Sequence, residues 1–115
     1  MRALICGGRD FLDFAWMSEV LSLFEDNKGE KITEVIHGAA RGADTLAGEW
    51  AKENNIPVRA FPANWDELGR AAGAIRNAQM LAEGKPDVVI AFPGGVGTAD
   101  MCTKARMAGI TVVRM

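Results

Sequence analysis

The chain has 115 residues, of which 49% are hydrophobic and 24% are charged, and its formal net charge at pH 7 is −2. This length is typical of one domain, so we expect a single domain over residues 1–115. The acidic balance, with a pI of about 5.4, disfavours the broad basic surface that binds a nucleic acid backbone. The sequence has no long apolar run, no signal peptide and only two cysteines, Cys6 and Cys102. We therefore expect a cytoplasmic protein with reduced thiols and no membrane contact.

Short apolar runs alternate along the chain with segments of helical periodicity. In the first helical segment, Phe14, Met17 and Leu21 recur at spacings of three and four residues. The predicted strands cover residues 3–6, 32–36, 58–61, 88–92 and 110–113. The predicted helices cover residues 14–24, 43–54, 67–83 and 98–108.

This alternation predicts an α/β fold built from right-handed strand–helix–strand units. The run over residues 88–92 is the most apolar and indicates a central strand that is buried on both faces. Gly69 and Gly73 lie inside the third helical segment, where glycine weakens a helix. We expect one open, mainly parallel five-stranded sheet with helices on both faces.

Three glycine-rich loops follow predicted strands, at the edge where an open parallel sheet binds its ligands. They cover residues 7–10, 37–44 and 93–100. Glycine lets a ligand approach the backbone closely, and amides at the start of the following helix can hold an anion. The segment Gly94-Gly95-Val96-Gly97-Thr98 is our candidate phosphate site, although it matches neither a Walker A loop nor a G-x-G-x-x-G motif. The alternative is that these glycines only form tight turns.

Arginines add a second indication of an anionic ligand. Arg9 and Arg41 lie inside two of the loops, whereas Arg76 reaches the same edge only if the third helical segment folds back toward it. A guanidinium group binds phosphate through paired donors, and the alternative for each arginine is a solvated surface charge. The predicted ligand-binding residues are Gly7, Gly8, Arg9, Asp10, His37, Gly38, Arg41, Gly42, Asp44, Arg76, Asn77, Pro93, Gly94, Gly95, Val96, Gly97 and Thr98.

Three aspartates, Asp10, Asp44 and Asp100, fall near the starts of predicted helices. The helix dipole stabilises a carboxylate at that position, which is one explanation for all three. Because a carboxylate repels phosphate, a ligand role would be to bind ribose hydroxyls or to transfer protons. Asp44 and Asp100 are the candidate catalytic residues.

His37, the only histidine, ends a predicted strand at the expected site. It could contact the ligand, transfer a proton or simply pack at the strand end. With one histidine and no paired cysteines, we expect no metal site and no cofactor. Among the tryptophans, Trp65 is expected in a loop and is the candidate for stacking on a base, whereas Trp16 and Trp50 are expected in the core or at an interface.

Four motifs occur in a fixed order along the chain. They are Gly7-Gly8-Arg9-Asp10-Phe11, His37-Gly38-Ala39-Ala40-Arg41-Gly42-Ala43-Asp44, Ala72-Gly73-Ala74-Ile75-Arg76-Asn77 and Phe92-Pro93-Gly94-Gly95-Val96-Gly97-Thr98-Ala99-Asp100-Met101. Together they resemble the small YspA-type, cpYpsA-related branch of the SLOG superfamily, which is often found in phages and bacteria. The resemblance covers essentially the whole chain, and it implies a Rossmann-like fold and the binding of nucleotides or nucleotide-derived molecules.

The wider superfamily also includes DNA-processing protein A, ligand-sensing domains of antiviral systems and Lonely-Guy-type phosphoribohydrolases. The Lonely-Guy loop looks like P-G-G-x-G-T-x-x-E, and its final glutamate is used in hydrolysis of an N-glycosidic bond. Here that position is Met101, and the nearby acid, Asp100, is one residue earlier on the helix. One residue turns a side chain by about 100° around a helix, so Asp100 cannot simply replace the glutamate.

Three functions follow as hypotheses. The favoured one is a sensor or sequestering protein, of phage or defence origin, that binds a nucleotide or a nucleotide-derived small molecule. The second is a nucleoside monophosphate phosphoribohydrolase, in which Arg41 and the amides of residues 94–98 hold the phosphate and Asp44 or Asp100 stabilises the oxocarbenium ion or positions water. The third, single-stranded DNA binding, is disfavoured by the acidic pI. We also expect a homo-oligomer, with the helix faces that carry Trp16 or Trp50 as candidate interfaces.

Overall fold

A five-stranded parallel sheet forms the centre of the computed structural model, which describes residues 1–115. Its strands are β1 (Arg2–Cys6), β2 (Glu34–His37), β3 (Val58–Ala60), β4 (Val88–Ala91) and β5 (Thr111–Arg114). The strand order is β3-β2-β1-β4-β5, and every neighbouring pair is parallel. The α/β fold with a five-stranded parallel sheet, predicted from the alternation of apolar runs and helical segments, is confirmed.

Helices cover both faces of the sheet. They are α1 (Phe14–Lys28), α2 (Ala43–Glu53), α3 (Trp65–Leu68), α4 (Ala72–Gln79) and α5 (Val96–Met107). Since successive strand residues point to opposite faces, β1 contributes to two cores. Ala3 and Ile5 pack with residues of α1 and α2, whereas Leu4 and Cys6 pack with residues of α5.

Two of the three tryptophans lie on the α1 and α2 side of the sheet. Trp50 is buried there, and Trp16 packs edge-on against Phe92 with the ring centroids 5.5 Å apart. These side chains therefore contribute to the core or to its margin. Both cysteines are buried and unpaired.

The helix predicted over residues 67–83, which Gly69 and Gly73 were expected to weaken, is not a single helix. The chain instead forms α3, a 3₁₀ turn over Gly69–Ala71, α4 and a π-helical turn over Met80–Gly84. The break has a backbone cause, because Gly69 adopts φ +57° and ψ −137°, which lies far from helical values. Trp65 was expected in a loop but begins α3, whose preceding residue Asn64 accepts a hydrogen bond from the Glu67 amide.

The order of the strands reverses between β1 and β4. From β1 the chain proceeds outward through β2 and β3, and it then returns to the other side of β1 to form β4 and β5. At such a point the loops that leave two neighbouring strands diverge and open a crevice for a ligand. No helix combines the length and the apolar character needed to cross a membrane.

Candidate functional site

The three glycine-rich loops meet at the carboxyl edge of the sheet. The Gly8 amide donates to the Pro93 carbonyl at 2.8 Å, and the Gly8 carbonyl accepts from the Ala43 amide at 3.1 Å. Arg76, on α4, donates from Nη1 to the Gly38 carbonyl at 2.5 Å. The fold thus brings four separate segments of the chain to one place, including the segment whose return the sequence left open.

The glycines of these loops do two different things. Gly42 has φ +78°, and a Cβ there would overlap the carbonyl oxygens of Gly8 and Arg9. A Cβ on Gly7 would lie 2.7 Å from the Cβ of Ala43. These two glycines permit close contact between loops, whereas a Cβ on Gly95 or Gly97 would meet nothing within 4 Å. Backbone at the start of α5 is therefore open to a ligand.

A cavity of about 480 Å³ lies at this edge, between the loops and α4 and α5. The predicted site residues on its wall are Gly7, Gly8, Arg9, Asp44, Arg76, Asn77, Gly95, Val96, Gly97, Thr98 and Asp100. Met101, at the position of the Lonely-Guy glutamate, is 1% exposed and also lines the cavity. Asp100 therefore shares the cavity with Met101, although the two side chains leave the helix in different directions.

A second cavity of about 320 Å³ adjoins the first. Gly38 and Arg41 line this smaller cavity and not the larger one. Arg9, Trp65 and Arg76 line both cavities, so the two share a wall. The structure thus separates Arg41 from the start of α5, although the sequence grouped them as one phosphate site.

Five predicted site residues line neither cavity: Asp10, His37, Gly42, Pro93 and Gly94. Asp10 is 98% exposed and pairs with Arg41 at 3.6 Å. Pro93 and Gly94 pack on the Gly8 backbone. Gly42, Pro93 and Gly94 therefore hold the loops together, whereas Asp10 faces solvent.

His37 is buried at the end of β2. Its Nδ1 accepts a hydrogen bond from the Ala39 amide at 2.9 Å. Its Nε2 faces α2, where a Cβ on Gly48 would lie 3.2 Å away. Burial, and then the positive charge of Arg76, hold the pKa of His37 below its usual value. This geometry matches the packed strand-end alternative, with a neutral imidazole that braces the loop.

Arg76 is held in place on the wall between the cavities. Besides the bond to Gly38, its Nε donates to Asn77 Oδ1 at 3.1 Å. Burial lowers the pKa of the guanidinium, and the nearby Asp44 carboxylate opposes that effect. Since arginine starts from so high a pKa, it stays charged, and its Nη2 is not committed to either bond.

Two carboxyl groups line the larger cavity in different environments. Asp44 is buried, and burial raises its pKa, although the Ala40 amide and Arg76 partly offset the effect. Burial also acts to raise the pKa of Asp100, but hydrogen bonds from Lys104 and Asn77 outweigh it and hold that pKa below its usual value. Lys104 Nζ lies 2.6 Å and 2.7 Å from the two Asp100 oxygens, and Asn77 Nδ2 lies 3.0 Å from Oδ2.

Sequence reasoning missed Lys104 and Arg70 as neighbours of the site. Lys104 follows Asp100 by four residues on one helix, and that spacing is a recognisable signal for an ion pair. Arg70 lines the larger cavity from the 3₁₀ turn, and no pattern indicated that turn.

Trp65 stands at the rim of both cavities. The residue is 47% exposed, and the Arg9 guanidinium lies 5.4 Å from its ring centroid. A Cβ on Gly73 would lie 3.3 Å from Trp65 Cη2, so the absence of a side chain at Gly73 lets the ring lie against α4. Among the three tryptophans, this ring is the one that lines the cavities. No group of three or more His, Cys, Asp or Glu side chains is arranged to hold a metal ion.

The fold and the loops define a small SLOG-type domain, and comparison with known proteins agrees. The chain belongs to the YspA, cpYpsA-related SLOG family (YAcAr), whose model matches residues 1–67. It is 36% identical over 119 residues to the Gene 61 protein of Mycobacterium phage D29. The alignment covers 97% of this chain and 94% of that protein. The family resemblance predicted from the motifs is confirmed.

A solved structure shares the fold. DNA processing protein A from Streptococcus pneumoniae superposes with a TM-score of 0.51 at 17% sequence identity. The match covers 97% of this chain and 58% of that chain. The present chain thus spans little more than half the length of that relative, and the likeness concerns the fold alone.

Proposed function

We propose that this protein binds a nucleotide or a nucleotide-derived small molecule in the larger cavity, as a sensor or a sequestering protein. The observation that carries the proposal is the open start of α5, where Gly95 and Gly97 have no neighbour that a Cβ would meet within 4 Å. Backbone amides in the first turn of a helix have no partner inside the helix, and together with the helix dipole they favour an anion. A phosphate group is the anion that such a turn accommodates well.

The rest of the wall suits the other parts of a nucleotide. A volume of about 480 Å³ lies within the range of small-molecule sites, roughly 300–1,000 Å³. Asp44 and Asp100 offer acceptors for ribose hydroxyls on the wall of the same cavity. Trp65 offers a half-exposed aromatic ring at the rim, on which a base can stack in place of the Arg9 guanidinium. Membership of the SLOG family supports the same class of ligand.

The positive charges on the wall of the larger cavity also favour an anionic ligand. Arg9, Arg70 and Arg76 line the cavity, and the two aspartates line it as well. Asp100 is already paired with Lys104, so its charge does not cancel that of the arginines. The net charge of the cavity wall therefore attracts an anionic ligand.

The test is a titration of the purified protein with the four nucleoside 5′-monophosphates, ADP-ribose and the four nucleosides that lack phosphate. We expect at least one phosphorylated compound to raise the melting temperature, and its matched nucleoside to bind much more weakly. At 100 times its Kd a ligand adds about 2.7 kcal/mol to the free energy of unfolding, which a thermal scan detects easily. The absence of a shift with every phosphorylated compound would refute the proposal.

Hydrolysis of an N-glycosidic bond is the second candidate function. The observation that favours it is the pair of carboxyl groups in one cavity, with the pKa of Asp44 raised and that of Asp100 lowered. Such a pair can divide acid and base roles. Asp44 would donate its proton to the departing base, and the Asp100 carboxylate would stabilise the oxocarbenium ion. Water would then attack that ion and give a proton back to the Asp44 carboxylate, so that the products are ribose 5-phosphate and the free base.

Chromatography of the same mixtures separates the two candidates. An enzyme releases free base, and Asp44→Asn or Asp100→Asn lowers that rate by about 100-fold or more. Recovery of intact nucleotide from a mixture that shows a thermal shift would remove the hydrolase and leave the binding protein.

A further inference from the structure

We propose that the ligand carries a second anionic group, separate from the one at the start of α5, and that the smaller cavity over Arg9, Arg41 and Arg76 binds it. The inference rests on the proposed function, and it narrows the ligand to nucleotides with two phosphate groups. These include nucleoside diphosphates, in which the second phosphate extends the chain, and nucleoside 3′,5′-bisphosphates, in which it lies on the sugar.

The composition of the smaller cavity is the first argument. Three of its nine lining residues are arginines, none is acidic, and most of the others are glycine, alanine or proline. Guanidinium groups bind phosphate through paired donors, and small residues allow a bulky anion to approach them. A wall with this charge and no carboxylate is suited to an anion.

The neighbouring acids offset only part of the positive charge of this wall. Asp10 pairs with Arg41 at 3.6 Å, but the two side chains are 98% and 75% exposed, and water screens such a pair. A phosphate with two charges and three oxygens can replace that single carboxylate. Asp44 lines only the larger cavity, but its charge acts on Arg76 and Arg9. Arg41 is therefore the arginine of this wall that has only the exposed Asp10 as an acidic neighbour.

The arrangement of the two cavities is the second argument. Arg9, Trp65 and Arg76 line both cavities, so these side chains form the boundary between the two. Arg76 is fixed by its bonds to Gly38 and Asn77, which leaves Nη2 available at the junction. One ligand can therefore place a phosphate at the start of α5 and a second one beyond Arg76.

A substitution of Arg41 tests the second phosphate site alone, because Arg41 lines only the smaller cavity. The probes are the nucleoside 5′-monophosphate of the best-binding base, the 5′-diphosphate and the 3′,5′-bisphosphate of the same nucleoside, each measured by calorimetry. We expect the diphosphate or the bisphosphate to bind about tenfold more tightly than the monophosphate. The compound that shows the gain tells whether the second phosphate comes from the chain or from the sugar.

Arg41→Ala then removes this gain and leaves the Kd of the monophosphate within about twofold. Arg106→Ala is the matched control, because Arg106 is exposed on α5 and lines neither cavity. Equal affinity of the three compounds for the unaltered protein would overturn the inference and leave the proposed function intact. The same holds if Arg41→Ala weakens all three equally. If none of the three binds, both proposals fail together.

Discussion

Arg76 is the residue that ties the site together. It contacts the loop after β2 and lines both cavities, and a Cβ on Gly38 would lie 2.5 Å from its Nη1. Gly38 is therefore explained by the arginine that covers it. The sequence could not establish this contact, because the two residues are 38 positions apart and the return of α4 depends on tertiary packing.

Replacement of Arg76 by lysine should weaken nucleotide binding by about tenfold, since lysine keeps the charge but loses the planar pair of donors. The melting temperature of the free protein should also fall, because the bonds to Gly38 and Asn77 are lost. Calorimetry and a thermal scan measure the two effects, with Arg106→Lys as the control. Unchanged affinity in Arg76→Lys would remove Arg76 from the site.

His37 predicts a specific pH dependence of stability. Its folded-state pKa lies below the usual value of 6.5, because of burial and then Arg76. Above pH 6.5 the ring is neutral in both the folded and the unfolded chain, so its titration does not change the free energy of unfolding. As the pH falls below that value, the unfolded chain takes up a proton that the folded chain refuses, so the free energy of unfolding decreases.

In His37→Asn this loss should disappear, since asparagine keeps an acceptor for the Ala39 amide but does not titrate. Urea unfolding of both proteins at about pH 7.5 and about pH 5.5 measures the difference, in which the contribution of Asp44 cancels because both proteins contain it. Parallel curves for the two proteins would contradict the assignment of a lowered pKa.

Two glycines, Gly42 and Gly69, lie where one element of the fold begins or ends, and each is required for a different physical reason. Gly42 and Gly69 share an unusual backbone conformation, with φ +78° and ψ −126° in one and φ +57° and ψ −137° in the other. A Cβ would overlap neighbouring carbonyls at Gly42 and meet nothing at Gly69. The pair therefore separates backbone strain from loop packing.

Gly69→Ala should cost about 1–3 kcal/mol from backbone strain alone. Gly42→Ala should cost about 1–3 kcal/mol more, because the loop after β1 must also move. Chemical denaturation of both variants measures the difference. Equal costs would mean that the contact between the loops after β1 and β2 is not tight.

At the start of α5, stability and binding should oppose each other. Gly97→Ala adds a better helix former in open space and should stabilise the free protein by up to about 1 kcal/mol. The added methyl group should also lower nucleotide affinity by about tenfold if a phosphate lies against this turn. Thr103→Ala, at an exposed position of the same helix, should stabilise without any change in affinity. Unaltered binding by Gly97→Ala would argue that the ligand does not approach this backbone.

The elements show where the sequence was sufficient. β4 was predicted from its unbroken apolar run, and it is buried along its whole length. The segment over residues 67–83 was predicted as one weakened helix, because a glycine inside a helix can be tolerated or can end it, and the backbone angles of Gly69 place the break there. Arg70 was missed for the same reason.

At the scale of the whole molecule, the alternation of strands and helices was enough to predict the parallel sheet, since short connections and right-handed crossovers leave few arrangements. It also predicted the edge at which the loops converge. The alternation could not predict that this edge is divided into two cavities. Arg41 and the start of α5 line different cavities because residues of α4 and Trp65 form the boundary between them, and that placement depends on tertiary packing.

A nucleotide phosphate is expected to bind at the first turn of α5. The most direct measurement is a backbone amide NMR titration of the ¹⁵N-labelled protein with a nucleoside 5′-monophosphate and, separately, with the nucleoside that lacks the phosphate. We predict that the amides of Gly95, Val96, Gly97 and Thr98 show the largest shifts, and that the nucleoside leaves them almost unchanged. Shifts of these amides that are small, or equal for the two compounds, would contradict it.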